Sequence, residues 1–426
     1  MPTQDTYHDD STQSGETSNV LPLWRNRDYR LLWCGDAISA LGSQASQLAL
    51  PLLLLAITAS PVQAGLLGAL RGTIYLLCGL PAGVLIDRWP RRAVMVVADT
   101  LRALAFASIP FALLLGRLTV GQLYMVAAIE GLGFIIFGLA HTASFTRIVP
   151  HERLPAALAQ SQLIDSAART IGPAIGGALF ALAWALPFAV DAASYAFSVG
   201  IILGIRTTLG TPRTAQRAPL VHDLHAGLRW LHRQRTLQAH IALNGAVNFL
   251  YGGLPLLIIA LAQRLGADAG TTGLIFALGG GGTLLGAALA PMALRRWGVG
   301  RLIAVIMWLF VGCWLPYMLA PNVLALGIAV AFALACAALY NSTVIAYRML
   351  SVPNVLQGRV FSVARMVTYA AQSGGYLLMG LSLQRYGALA TTALLVAPSL
   401  LLAIATVCSR TLRLTPRLAE VQVPHP

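Results

Sequence analysis

The sequence predicts an all-α, polytopic membrane protein: twelve transmembrane helices in two six-helix halves. Three observations predict it: a composition too apolar for water, apolar runs of bilayer-spanning length, and arginines gathered on alternate connections. Of the 426 residues, 57% are hydrophobic and 10% are charged, against about 25% charged in an ordinary soluble domain. The mean hydropathy is +0.72. Such a chain cannot cover its apolar surface with polar groups.

A helix crosses a bilayer with about 20 apolar residues. Runs of that kind lie at 31–57, 63–86, 93–115, 119–141, 160–184, 187–205, 238–263, 271–294, 301–319, 322–346, 359–384 and 387–408. Residues 1–21 read as a disordered cytoplasmic tail, polar and acidic, without the basic start and short apolar core of a cleaved signal. Residues 22–205 form the first six-helix half, 206–237 a cytoplasmic central loop, 238–409 the second half and 410–426 a cytoplasmic tail. Within the loop, DLHAGLRWLHRQRTL sets apolar residues at helical spacing between arginines, the pattern of a helix lying on a membrane surface.

The net charge of +14 suggests a nucleic-acid partner until its distribution is read. All 29 basic residues are arginine. Twenty-two lie on connections and termini that share one side: Arg25, Arg27, Arg30, Arg88, Arg91, Arg92, Arg147, Arg153, six between Arg206 and Arg235, Arg295, Arg296, Arg301, Arg348, Arg359, Arg410, Arg413 and Arg417. The other side carries Arg117, Arg264 and Arg385. This asymmetry orients a membrane protein with its arginine-rich loops inside, so the charge implies a lipid bilayer and cytoplasmic termini rather than nucleic acid. Cys34, Cys78, Cys313, Cys336 and Cys408 sit in apolar segments at no metal-ligand spacing and read as core cysteines.

The halves resemble each other. Gly65, Leu70, Arg88 and Trp89 recur as Gly273, Leu278, Arg296 and Trp297, each 208 residues later. Val149, Pro150, Gly172 and Gly177 recur as Val352, Pro353, Gly375 and Gly380, each 203 residues later. Two near-equal offsets on equivalent spans point to duplication, and repeated halves around a midplane cavity are the architecture of alternating-access carriers.

Two segments stand out. AGVLIDRWPRRAVM (82–95) joins Gly83, a close-approach residue, to a charged cluster of Asp87, Arg88, Arg91 and Arg92 at the cytoplasmic surface. The cluster reads either as an orientation signal or as a gating latch. In span 5, ARTIGPAIGGAL (168–179) places Gly172, Pro173, Gly176 and Gly177 within two turns, where proline kinks and glycine permits tight packing.

Together these segments resemble the major facilitator superfamily. DRWPRR is similar to its loop 2–3 signature, with Pro90 where a glycine is common, and GPAIGG is similar to the signature of its drug:proton antiporters. LWRNRDYRLLWCGDAIS (23–39), IVPHERLPAALAQSQ (148–162), GLRWLHRQRTL (227–237) and LQGRVFS (356–362) resemble the third drug:proton antiporter group, which includes macrolide-efflux proteins and the enterobactin exporter. Asp36 departs from the group, which often has an uncharged polar residue there.

Charges within hydrocarbon cost about 2.5–3.5 kcal/mol or more, which makes each a functional candidate. The first half carries Asp36, Arg71, Asp99, Arg102, Glu130, Asp165, Arg169 and Asp191; the second carries Arg365 alone. Arg71, Arg102 and Glu130 lie deepest. Asp99 with Arg102, and Asp165 with Arg169, have the spacing of local helix pairs. Asp191 reads equally as a solvated helix-end residue. Glu130 has no opposite charge on its own helix, so its partner, Arg71 by depth, comes from another span. Glu130, Asp36 and Arg71 are therefore the proton-coupling candidates. Asn244, Asn248, Tyr251, Tyr340 and Gln372, with Trp308, Trp314 and Asn341, are the substrate-cavity candidates of the second half, and carboxylates facing aromatics suit bulky amphipathic molecules.

Taken together, the residues and the resemblance imply a monomeric, multi-pass carrier of a bacterial cytoplasmic membrane that exports small amphipathic molecules in exchange for protons, without a cofactor or metal. Export of an endogenous product such as a siderophore is the alternative. An enzyme is not expected: there is no P-loop, no His-Glu-x-x-His and no paired catalytic set. The eight histidines read as loop, tail or span-end residues. GLGF (131–134) and GGGG (279–282) read as helix packing, and no soluble sensor domain is evident. The arginine asymmetry makes a direct prediction: reporter fusions at residue 426 and within 208–220 both give cytoplasmic signals, and a periplasmic signal from either contradicts the twelve-span topology.

Overall fold

The computed structural model describes residues 23–207, 229–413 and 415, and every regular element among them is helical. A 3-10 turn, Leu23–Arg25, leads into α1 (Arg27–Thr58), α2 (Pro61–Arg88), α3 (Arg91–Leu114), α4 (Val120–Ile148), α5 (Leu154–Leu182) and α6 (Leu186–Gly204). The second half has α7 (Arg235–Tyr251) and α8 (Leu254–Arg264), then α9 (Ala269–Arg296), α10 (Val299–Leu319), α11 (Val323–Ser351), α12 (Asn354–Cys408) and a final turn, α13 (Arg410–Arg413). Residues 1–22 and most of the central loop, 208–228, lie outside the described residues. The loop's end is helical at 229–232, and Leu231 there is buried against the second half.

Polar residues set the helix starts. Asn26, Ser60, Thr119, Asp268 and Asn322 are N-caps whose side chains accept from backbone N–H groups that the helix leaves unpaired. Asn26 also ties the start of α1 to the end of α4, donating from Nδ2 to the Ile148 carbonyl at 2.9 Å.

Among the described residues, ten helical stretches are long and apolar enough to cross a membrane. One of these, Leu356–Cys408, holds a non-helical residue, Gly387, at φ 74°. At about 1.5 Å per residue, its 53 residues far exceed a bilayer core, so it is two crossings joined at Gly387. The stretch Arg235–Arg264 is one crossing in two pieces, broken at Gly252 and Gly253, where an unbroken span was expected. The remaining helix, α5, has 29 residues; Gln160, Gln162, Asp165 and Arg169 make its first half too polar to qualify by apolarity. It is counted as the twelfth crossing on its length and its packing between α1 and α9.

The duplicated glycines meet across the halves. A Cβ on Gly65 of α2 would lie 2.9 Å from the Gly380 Cα of α12, and one on Gly177 of α5 would lie 2.8 Å from the Gly273 Cα of α9. The sequence offsets map one pair onto the other, so the repeat is realised as two equivalent crossings between the halves. Only residues without a side chain allow two helix backbones this close. The run at 279–282 serves the same end: a Cβ on Gly280 would meet the Thr170 Cα, and one on Gly282 the Ala331 backbone of α11.

Apolar packing divides along the long axis of the bundle. At the end that carries the short connections 59–60 and 183–185, one buried cluster spans both halves, from Leu53 and Phe180 to Leu257, Trp314 and Leu383. At the end that carries Arg91, Arg92 and Arg301 there are two separate clusters. One holds Tyr29, Met95, Phe145 and Ile202 of the first half; the other holds Ile241, Ile303, Tyr340 and Val360 of the second. The halves are thus fused at one end and parted at the arginine-rich end. Among the described residues, links between the halves toward that end include the Thr170–Gly280 contact and Tyr75 of α2. Tyr75 stacks on Tyr369 of α12 at 4.1 Å and accepts from Arg365 Nη1 at 3.2 Å. One turn beyond, a Cβ on Gly79 would meet only Tyr75 of its own helix.

This geometry predicts a cross-link. Ser60 Oγ and Gln384 Oε1 lie 3.1 Å apart at the fused end. In a cysteine-free background, a short bifunctional thiol reagent is expected to join Ser60→Cys to Gln384→Cys, and Gly65→Val to lower the yield several-fold by separating α2 from α12. An undiminished yield in Gly65→Val contradicts the glycine crossing.

Candidate functional site

The first half encloses four charges in its interior. Arg102 of α3 lies 3.2 Å from Asp99 one turn earlier and 3.5 Å from Glu130 of α4. Arg71 of α2 approaches the same Glu130 oxygen, also at 3.5 Å. Two arginines and two carboxylates leave the group neutral as ion pairs, the condition under which charge is tolerated in an apolar interior. Ser198 of α6 donates to Asp99 at 2.6 Å, and the Arg102 guanidinium lies 4.0 Å from the Tyr195 ring centroid. Tyr195 OH in turn bonds Ser43 of α1 at 2.7 Å. The network joins α1, α2, α3, α4 and α6.

GLGF is the floor of this network. A Cβ on Gly133 would sit 2.6 Å from Arg102 Cδ, one on Gly131 would touch the Arg71 stem at 3.7 Å, and the Phe134 ring lies 4.6 Å from the Arg71 guanidinium. The four residues of α4 just after Glu130 thus make room for both arginines, a role that neither the spacing nor the composition of the motif suggests.

Arg102 is 5% exposed in its side chain and Arg71 30%, so Arg71 is the member of the group with access from outside. Glu130 finds Arg71 on another span, and Arg102 as a second partner. Of the two readings open for Asp191, the solvated helix-end one fails: it is fully buried, with Ser194 donating to Oδ1 at 3.2 Å and no hydrogen-bond partner for Oδ2 among the described residues. Gly42 of α1 leaves it space, since a Cβ there would be 2.7 Å from Oδ1. Asp165 and Arg169, spaced as a local pair on α5, are both exposed.

Sequence reasoning missed His141. The fourth span was expected to end at 141, but α4 continues to Ile148, which places the imidazole inside the helix. Its Nε2 bonds Asp36 Oδ2 of α1 at 2.8 Å. A longer span 4, ended at Val149-Pro150, was the signal available.

The second-half candidates divide. Asn244 donates to Thr368 of α12 at 2.9 Å, Asn248 donates to the Asn244 carbonyl at 2.8 Å, and Gln372 is half-buried with its backbone against Gly252. Tyr340 and Trp314 are 2% and 1% exposed and lie inside the apolar clusters, a correction to their reading as cavity wall. Tyr251 stacks on Trp314 at 5.3 Å, and both reach Ser399, at 3.2 and 2.9 Å. These aromatics hold α7, α10 and α12 together. Trp308 and Asn341 are exposed.

In the antiporter motif, Gly172 and Gly176 pack on Gln44 and Ala45 of α1, and Gly177 on α9, while Pro173 is interior to α5. Of the loop cluster, Gly83, Asp87 and Arg88 end α2, and their side chains lie outside the described residues. Arg91 donates to the Ala143 carbonyl of α4 at 2.7 Å, and Arg92 donates to the Leu203 carbonyl at the end of α6. A second arginine at that end, Arg27, reaches Gly204 O at 3.3 Å. Cations at these carbonyls satisfy a helix C-terminus.

Comparison with known proteins agrees with this architecture. A point mutant of the nucleoside transporter NupG superposes with a TM-score of 0.72 at 13% identity, covering 89% of this chain and 98% of that one. A bacterial homolog of the human lysosomal transporter Spinster, inward-facing and unoccupied, gives 0.70 at 14% identity over 94% and 99%. In sequence, the uncharacterized transporter YfiS of Bacillus subtilis is 26% identical over 63% of this chain and 65% of its own. Macrolide efflux protein A of Streptococcus pyogenes is 24% identical over 54% and 56%. The chain thus spans between about half and two thirds of the length of these curated relatives. The profile of the transmembrane secretion effectors matches residues 17–425. The chain belongs to this family of the major facilitator superfamily.

Proposed function

We propose that the protein exports small amphipathic molecules across the bacterial cytoplasmic membrane by proton antiport, through alternating access. The observation that carries the reading is the division of the core: one apolar cluster fuses the halves at one end, and two separate clusters leave them parted at the arginine-rich end. With arginine-rich loops in the cytoplasm, the cleft opens inward, the state in which an exporter loads. The macrolide efflux relatives support export. In the opposite state the parted end closes and the glycine crossings open.

The arginine cluster supplies the coupling. Glu130 shares its oxygen with a fixed arginine, Arg102, and a partly exposed one, Arg71. A buried carboxylate that loses one of its two cations is more easily protonated. Rearrangement of α2 during the cycle moves Arg71, and Glu130 gains or releases a proton as it does so. Asp36 is the rival position for this role. Asp87 and its neighbouring arginines act as the latch that holds the cytoplasmic end when it is closed.

Two outcomes check this. In inside-out vesicles, Glu130→Gln is expected to abolish gradient-driven uptake of an amphipathic dye while leaving its equilibrium binding within a few-fold; normal proton-driven uptake removes Glu130 from the coupling step. For the cluster itself, Arg102→Met leaves buried Asp99 without its cation, which costs about 3–5 kcal/mol. Its thermal unfolding in detergent falls accordingly, and the double variant with Asp99→Asn recovers part of the loss. An Arg102→Met protein as stable as the parent means that Asp99 does not depend on that ion pair.

A further inference from the structure

Apart from the arginine cluster, one intramembrane carboxylate of the first half has an imidazole as its ionic partner. Asp36 lies nine residues into α1, roughly 14 Å from its start, on the side of the bundle where the halves part. Among the described residues its one hydrogen-bond or ionic partner is His141 of α4, Nε2 to Oδ2 at 2.8 Å. The two side chains are 21% and 18% exposed, whereas Asp99 and Asp191 are fully buried and Glu130 is held by two arginines.

Aromatic rings flank the pair. His141 stacks on Phe137 at 5.7 Å and 19°, and Phe145 lies 5.8 Å from its other side. Phe145 is backed in turn by Tyr29, edge-on at 6.3 Å and fixed by a 2.7 Å hydrogen bond to Gln160 of α5. Asp165, exposed on α5, adds a second negative charge that acts on both Asp36 and His141. A carboxylate whose side chain is 21% exposed, with an imidazole as its partner and the half-buried Phe137 ring stacked on that imidazole, suits one ligand chemistry. A protonated amine satisfies the carboxylate as an ion pair and the rings as a cation–π partner. An attached apolar body would extend along the Phe137 face.

We infer that Asp36, with Phe137, forms the subsite that takes the ammonium group of an amphipathic amine, and that His141 occupies the Asp36 carboxylate until the amine displaces it. The inference rests on the export reading and narrows it to cationic substrates. An alkylammonium keeps its charge at neutral pH, whereas an imidazole carries one only when protonated, so exchange favours the amine. Substrate then replaces a link between α1 and α4 that exists only without it.

The test compares two probes that differ in one charge, dansylcadaverine and its N-acetyl derivative, bound to the purified full-length carrier and taken up by inside-out vesicles. The parent protein is expected to bind the amine about tenfold or more tightly than the acetylated form. Asp36→Asn is expected to bring the ratio close to one by weakening the amine alone, and retained binding of the acetylated probe shows that the variant is folded. A parent ratio near one, or an Asp36→Asn variant that keeps the parent ratio, overturns the subsite. If Asp36→Asn is not recovered folded, His141→Gln decides: a ratio at or above the parent's supports the subsite, and a fall to one overturns it. Uptake of neither probe by the parent contradicts the export reading itself, whereas uptake of both without preference contradicts only the amine subsite.

Discussion

Arg102 is the constraint on which the first half depends. A guanidinium has no neutral form available to it in a protein, so once it is buried in a membrane helix the fold must bring it counter-charge from several directions. It receives Asp99 from its own helix, Glu130 from α4 and the Tyr195 ring from α6, and α4 contributes a glycine at 133 so that the side chain can reach them. Each of these demands fixes the rotation of a helix about its axis. Apolar packing in lipid cannot do this well, because lipid tails and leucine side chains are equally apolar and helices gain little by turning one face or another inward.

The same reasoning explains the asymmetry between the halves. The second half holds no comparable cluster among its described residues, and its spans are registered by small residues and hydrogen bonds: Gly279, Gly282 and Gly286 on α9, Asn244 with Thr368, and the Tyr251–Trp314–Ser399 group. One half is locked by charge and the other by shape. Two rigid bodies of this kind, joined through glycine crossings, can rock as units. Side-chain hydrogen bonds between them include Ser60 with Gln384 and Arg365 with Tyr75. The second lies at the apex of the cleft, where a cleft open to the other side would have to break it.

Much of this was legible in the chain. Apolar runs at bilayer length and glycines repeating at near-constant offsets required membrane-length helices and two related halves, because each signal reflects solvent physics or backbone contact and none needs a partner to be known. Glu130 could be singled out as a charge lacking a partner on its own helix, and a partner from another span at Arg71's depth was implied by burial cost alone. Even the break at Gly387 was visible as the boundary between the last two runs.

Other features were decided only in three dimensions. That GLGF cradles two arginines, that Asp191 is sealed against Gly42, that Tyr340 and Trp314 face inward, and that His141 meets Asp36 all depend on which way each helix is turned and on which helix is its neighbour. Hydrophobic periodicity is a poor guide to rotation in a chain that is apolar on every side, since the bilayer accepts the outward face as readily as the interior accepts the inward one. Helix ends are uncertain for a related reason: α4 runs on past the apolar segment as far as Ile148, whose carbonyl accepts from Asn26, a residue 122 positions away in the chain. Sequence thus determined how many times the chain crosses and where its charges lie along each crossing. Tertiary structure decided which charges meet, because that choice is made by helix rotation, and helix rotation is set by contacts between residues far apart in the chain.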